Sequence, residues 1–157
     1  MKKLLALALV IVLALGFSAC GKQKTLELTS VTIYLPDQVA IDAGGYGFAA
    51  RQVEMHMPNL VSLQAMQLVS HLAASGALPE GCAVLSFDEE NATLDMNEAF
   101  AQALGRAGTL GETLLLGCLV NTMLDFFGLQ SITVTAQGEV LQTGHETYSD
   151  PLGFYGN

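Results

Sequence analysis

Basic side chains are scarce in this 157-residue chain, which carries 6 Lys and Arg against 15 Asp and Glu, a formal net charge of -9. Two of the six, Lys2 and Lys3, lie at the N-terminus. Without residues 1–19, the chain has four basic and fifteen acidic residues, which gives a net charge of 4 − 15 = −11. A chain of this charge is repelled by phosphate backbones and by anionic headgroups. Nucleic acid is therefore excluded as an expected partner.

Motifs of metal binding are also missing. The histidines, His56, His71 and His145, show neither HExxH nor any other paired-ligand spacing, so no metal site is predicted. The acidic run Asp88–Glu90 lacks the D-x-D-x-D-G spacing of a calcium loop. We interpret that run as a solvated hairpin turn.

Motifs of catalysis and of cofactor binding are missing as well. The Gly-rich segment 44–47 precedes a strand rather than a helix and has no neighbouring lysine, so it differs from a phosphate-binding loop. There is no G-x-S-x-G sequence, and no histidine stands beside Cys82 or Cys118. The sequence therefore predicts neither an enzyme nor a cofactor.

The first twenty residues have the pattern of a bacterial lipoprotein signal. After Lys2 and Lys3, the apolar run 4–16 is shorter than the roughly 20 residues that span a bilayer. Small residues precede Cys20, as at the cleavage sites of other export signals. We expect residues 1–19 to be a signal peptide and the Cys20 thiol to carry the lipid that anchors the protein to the extracytoplasmic side of the cell membrane. An ordinary secretory signal with a coincidental cysteine, or an uncleaved membrane anchor, is the alternative.

Cysteine is rare in the rest of the chain, where only Cys82 and Cys118 occur. Both lie inside apolar runs, which favours two buried free thiols. A disulfide between them stays open as an alternative, because an extracytoplasmic location permits one.

Hydrophobic periodicity predicts strand pairs separated by helices. Strands are expected at 31–35, 52–57, 82–87, 92–96, 132–136 and 139–141, and helices after Asn59, after Asn97 and from 109 to 127. Segment 37–50 is predicted to be a flexible connection, and the tail 148–157 to lie along the surface. Hairpin-joined strands with helices between the pairs indicate the α+β class, an antiparallel sheet with helices packed on one face.

The last predicted helix carries the strongest local signals. Thr109 and Glu112 have the spacing of a capping box, and the helix is apolar nearly all round, which predicts the central buried element. Asn121 and Thr122 interrupt the apolar sequence. They could line a pocket, but the simpler interpretation is that Thr122 bonds back to a carbonyl of its own helix while Asn121 faces an exposed end.

Several segments, in this order, resemble the sporulation and spore germination domain called GerMN. Segment 31–37 resembles its opening strand, and Arg51 leads a second strand. Segment 92–100 is similar to the family's TVDLSEEF stretch. Gly111-Glu112 heads the long helix, and segment 120–124 resembles its VYTLT segment.

The resemblance implies a single GerMN-like domain at residues 30–152, related to the ring-building domains of secretion and sporulation assemblies. Residues 20–29 would form the lipidated cysteine and a tether, and residues 153–157 a tail. It also implies a non-enzymatic role with an extracytoplasmic protein partner.

Four aromatic side chains are the candidate binding residues. Tyr46 and Phe48 lie in the Gly-rich connection, and Phe154 and Tyr155 lie in the tail, so all four are expected to be exposed and available to a partner. They could also simply cover the edge of the sheet. The preferred hypothesis is a membrane-anchored interaction module of a sporulation or germination envelope assembly. The alternative is a binding protein for a small cell-envelope ligand, and a hydrolase comes third.

Overall fold

The structure is a computed structural model that describes residues 28–156, which form eight strands and four helices. The predicted signal peptide (1–19), Cys20 and most of the tether (20–29) lie outside the described residues. The strands are β1 (Leu28–Pro36), β2 (Phe48–His56), β3 (Val84–Asp88), β4 (Thr93–Met96), β5 (Ser131–Ala136), β6 (Glu139–Gln142), β7 (Thr147–Tyr148) and β8 (Leu152–Gly153). The helices are α1 (Gln38–Asp42), α2 (Val61–Ala74), α3 (Glu98–Arg106) and α4 (Gly108–Phe127).

The strands form two sheets. β1 and β2 make a separate antiparallel pair, in which Leu28 lies opposite His56 and Pro36 opposite Phe48. The second sheet has the order β3-β4-β5-β6-β7, with β8 added to β5. Its β4–β5 pair is parallel, because α3 and α4 carry the chain back across the sheet between these two strands. The predicted α+β class is confirmed, and the parallel pair is a feature that the prediction did not include.

Helix α4 is the centre of the core, as its composition predicted. It packs against β1, α2, α3 and β5, and its middle residues from Leu116 to Leu124 are buried. Its length and apolarity would suffice for a membrane span, but much of it is enclosed by the rest of the domain, as expected of a core helix. Gly128 ends it in the left-handed conformation with φ 66°, where a residue without Cβ fits best.

The start of α4 differs from the predicted capping box. Ala107 is the cap residue, no side chain caps the helix, and Glu112 turns inward to bond Thr143 and Tyr148. The capping-box prediction is wrong because α3 ends at Arg106 and α4 already begins at Gly108, so Thr109 lies inside α4 and lacks the extended conformation of a cap residue.

Other local predictions are confirmed. β3 and β4 pair as a hairpin around the acidic turn, where Asp88 accepts hydrogen bonds from the backbone N–H and side-chain amide of Asn91. These bonds hold the pKa of the Asp88 carboxyl below its usual range. Asn97 caps α3 by accepting a bond from the N–H of Phe100, and it also accepts one from Ala83 and donates one to the Gly81 carbonyl.

Two segments are more ordered than predicted. The expected flexible connection 37–50 contains α1, which Asp37 caps by accepting a bond of 2.9 Å from the Val39 N–H. The tail, expected on the surface, supplies β7 and β8. Such short elements are stabilised by their neighbours rather than by their own periodicity.

The two cysteines of the domain are free thiols. Cys82 and Cys118 are buried and form no disulfide, which confirms the free-thiol interpretation. Burial raises the pKa of both, that of Cys118 to about 12.

Candidate binding cleft around Glu112

Three of the four aromatic residues predicted as binding residues, Tyr46, Phe48 and Tyr155, converge in the structure. The ring of Phe48 lies 6.3 Å from that of Tyr46 and 6.3 Å from that of Tyr155, both edge-on. Phe154 lies edge-on to Tyr34 of β1, with ring centroids 5.2 Å apart. The loop before β2 and the C-terminal tail therefore meet in an aromatic cluster of Tyr46, Phe48 and Tyr155, whereas Phe154 packs separately on β1.

Only two of the four are exposed. Tyr46 and Phe154 expose 47% and 55% of their surface, whereas Phe48 exposes 7% and Tyr155 is half-buried. The expectation that Phe48 is a surface residue is therefore wrong, and the same expectation for Tyr155 holds only in part. Phe48 is buried because Gly117 of α4 has no side chain, so the aromatic ring occupies the space that a Cβ would fill.

Tyr155 is held in place by Asn121 of α4. The Asn121 side chain donates a bond of 2.9 Å to the Tyr155 carbonyl and accepts one of 2.8 Å from its N–H. Asn121 is fully buried, so the prediction of an exposed end is wrong. Burial raises the pKa of the Tyr155 hydroxyl.

Beside this cluster, α4 and the tail enclose a cleft of about 340 Å³. Such a volume is at the lower end of the roughly 300–1,000 Å³ of small-molecule sites. It is lined by Thr109, Glu112, Thr113, His145, Glu146, Tyr148 and Tyr155. Tyr155 belongs to both the aromatic cluster and the cleft, so the two features are continuous.

The carboxylate of Glu112 is the chemical centre of the cleft. Glu112 is only 3% exposed, and its Oε2 accepts bonds from the hydroxyls of Tyr148 at 3.0 Å and Thr143 at 3.1 Å. Its Oε1 is shielded from solvent and has no hydrogen-bond partner. Burial, together with the bond to Glu112, raises the pKa of Tyr148, so its hydroxyl remains a donor at neutral pH.

A tight turn supports the mouth of the cleft. The Thr143 N–H donates to the Glu146 carbonyl at 2.9 Å, and the Thr143 hydroxyl oxygen accepts from the N–H groups of His145 and Glu146 at 3.2 and 3.1 Å. Because the same hydroxyl donates to Glu112, the turn is fixed to α4. This arrangement places His145 and Glu146 at the cleft.

The cleft offers acceptors for hydrogen bonds. His145 is its one basic lining residue, and no cysteine lines it. Within residues 28–156, no group of three His, Cys, Asp or Glu side chains is placed to hold a metal ion, and His56 and His71 do not line the cleft. The arrangement is suited to bind a group that donates hydrogen bonds.

Sequence reasoning missed this cleft. Glu112 was assigned to a helix cap, and Thr143 and Tyr148 lie 31 and 36 residues further along the chain. One signal was available: Glu112 is an acidic residue near the start of a helix that is otherwise apolar nearly all round. A buried carboxylate needs partners, and the sequence could not show which residues supply them.

No protein-family model and no curated protein matches the sequence. Among solved structures, the chain is similar to the tandem GerMN domains of the sporulation protein GerM from Bacillus subtilis, with a TM-score of 0.60 and 17% identity over 81% of this chain and 46% of that one. It is also similar to the first GerMN domain of that protein, with a TM-score of 0.53 and 18% identity over 80% and 97% of the two chains. The chain thus spans about half of the tandem structure and nearly all of the single domain. Residues 28–156 therefore have the fold of a GerMN domain, as the sequence resemblance predicted.

Proposed function

We propose that this protein is a lipoprotein anchored to the cell membrane through Cys20, whose GerMN-like domain is a non-enzymatic interaction module of a sporulation or germination assembly in the cell envelope. The observation that carries the proposal is the fold shared with the GerMN domains of a sporulation protein. The export-signal pattern before Cys20 supports the anchoring and the extracytoplasmic location.

The state of the thiols favours binding over nucleophilic catalysis. A cysteine nucleophile reacts as the thiolate and needs access to its substrate. Cys118 is fully buried with its pKa raised to about 12, and Cys82 is buried with a raised pKa. Neither thiol lines the Glu112 cleft, so neither can attack a molecule bound there.

The two exposed aromatic rings, Tyr46 and Phe154, provide preorganised contact points. Tyr46 packs edge-on against the buried ring of Phe48, and Phe154 against Tyr34, so both exposed rings rest on fixed neighbours. Rings that are already ordered lose little conformational freedom on binding. Phe154 also lines a shallow hollow with Asp125 at the end of α4, where an acidic side chain favours a basic partner.

Crosslinking in intact cells tests the proposal. A Tyr46→Ala, Phe154→Ala double variant should keep its melting temperature and lose an envelope protein that the parent chain captures, because hot-spot aromatics contribute much of the binding free energy. The matched control is a Leu85→Ala, Val140→Ala double variant, since both side chains are 50% exposed and lie elsewhere on the domain. Retention of every captured protein by the aromatic variant would overturn the proposed surface.

Metabolic labelling with a fatty acid tests the anchor. A Cys20→Ala variant should incorporate no label, because the thiol is the acylated group, whereas a Cys82→Ala variant should label like the parent. Unchanged labelling of the Cys20→Ala variant would refute the lipoprotein assignment.

A further inference from the structure

Glu112 has an unmet hydrogen-bonding requirement. Within residues 28–156, its Oε1 is the one buried side-chain oxygen or nitrogen without a hydrogen-bond partner. Leaving a carboxylate oxygen buried without a donor is costly, so buried charges are normally paired. Glu112 lines a cleft large enough for a ligand group, although Oε1 itself is shielded from solvent. A donor delivered from outside the domain would complete the site.

The occupied oxygen restricts which cationic group fits. Oε2 already accepts two bonds, from Thr143 and Tyr148, which leaves only Oε1 open. The planar guanidinium of arginine binds best when it can bridge both oxygens of a carboxylate. A compact ammonium carries three donors and needs one oxygen of Glu112, while its other donors can reach further acceptors. The hydroxyls of Thr109 and Thr113 and the carboxylate of Glu146 line the same cleft.

The remaining walls suit the carbon chain of a lysine. Tyr148 and Tyr155 line the cleft. Aromatic side chains pack well against a methylene stem and attract a cation to their π faces. Residues 28–156 contain no lysine, so no ammonium group of the domain itself can fill the site. The net acidic charge of the chain favours a basic partner over a long range.

We propose that the Glu112 cleft receives the side-chain ammonium of a lysine presented by the protein partner, an inference that rests on the proposed interaction function. Because Oε1 is shielded from solvent in the free domain, the groups that cover it move apart to admit the ammonium. The ammonium then bonds Oε1 while Thr143 and Tyr148 keep the other oxygen in place.

A titration followed by NMR tests the chemistry of the cleft. N-acetyl-lysine methylamide is titrated into the full chain, which is kept in detergent micelles. The backbone amide signals of His145 and Glu146 are followed during the titration. Glu112→Gln, which removes the charge and keeps the shape, should weaken binding by about tenfold or more, as expected for a hydrogen bond to a charged group. Glu139→Gln, the same change at an exposed site on β6, should leave the affinity unchanged.

One further variant and two further probes test the same inference. Glu146→Gln, at an exposed position that does not threaten folding, should also weaken lysine binding. N-acetyl-norleucine methylamide lacks the ammonium and should bind more weakly than the lysine probe. Equal binding of norleucine, tighter binding of N-acetyl-arginine methylamide, or unchanged lysine affinity in both variants would overturn the assignment.

Crosslinking in cells identifies the source of the ammonium. Glu112→Gln should reduce capture of the envelope partner and Glu139→Gln should not. Loss of probe binding without any change in capture would contradict a protein source and indicate a small amine of the envelope. If the parent chain captures no protein at all, the proposed interaction function fails, whereas the NMR titration still decides whether the cleft binds an ammonium.

Discussion

Phe48 and Gly117 join β2 to α4 by placing an aromatic ring against helix backbone. A Cβ at position 117 would overlap the ring of Phe48, so glycine is needed there for space. In the sequence, Phe48 follows a Gly-rich stretch and has the pattern of an exposed loop residue. The gap that it fills belongs to a helix about seventy residues further along the chain, and periodicity carries no information about such a pair.

Replacing Phe48 should therefore affect folding rather than binding alone. Phe48→Ala is expected to lower the free energy of unfolding by about 3–5 kcal/mol, the range for buried phenylalanines. Tyr46→Ala, which truncates an exposed ring in the same cluster, should change it by less than about 0.5 kcal/mol. Urea unfolding followed by circular dichroism measures both. Equal effects of the two substitutions would mean that Phe48 is not part of the core.

Thr122 fastens the two-stranded sheet to the central helix. Its hydroxyl oxygen accepts a bond of 3.0 Å from the Tyr34 N–H near the C-terminal end of β1, whereas the sequence suggested a bond back into its own helix. β1 and β2 pair with each other and with no other strand of the described domain, so contacts with α4 decide how this sheet is held. A two-stranded sheet alone has little stability in water.

Removing the Thr122 hydroxyl should destabilise the sheet formed by β1 and β2. Thr122→Val keeps the shape and leaves the part-buried Tyr34 N–H without this partner, which is expected to cost about 1 kcal/mol. Hydrogen exchange should show faster exchange in β1 and β2 than in β4 and β5. In Thr113→Val, the lost hydroxyl bonds only a carbonyl of its own helix, that of Thr109, and serves as the control. Uniform loss of protection across both sheets would argue against a local role for Thr122.

Predictions from the sequence succeeded where the interacting residues are close in the chain and failed where they are far apart. The β3–β4 hairpin and the Asn97 cap were predictable because their partners are close in the chain. β7 and β8 are two residues long each and have no periodic signal, so they depend on neighbours already in place. Glu112 had the local spacing of a cap, but its partners come from the tail. The four aromatic candidates were identified from the sequence, but the burial of Phe48 was not predicted.

At the scale of the whole domain, a core built on one apolar helix places several titratable hydroxyl and thiol groups in a low-polarity environment. Burial raises the pKa of Cys118 to about 12, above the value of about 9 that a thiol has in water, and it also raises the pKa values of Tyr148 and Tyr155. The folded state therefore keeps protons that the unfolded chain releases at alkaline pH. Stability is unaffected by Cys118 below pH 9 and falls as the pH rises from about 9 towards 12.

A Cys118→Ala variant isolates the thiol's part in this loss. Its free energy of unfolding, measured in urea from pH 7 to pH 11, should fall less steeply above pH 9 than that of the parent, because the unfolded chain no longer gains by ionising this group. Val120→Ala is the matched control, since Val120 is equally buried in α4 and does not titrate. Its truncation should lower stability by a similar amount at every pH and keep the alkaline slope of the parent. Identical slopes in all three proteins would show that Cys118 ionises as readily in the folded chain as in the unfolded one, and that α4 is more open to water than its packing indicates.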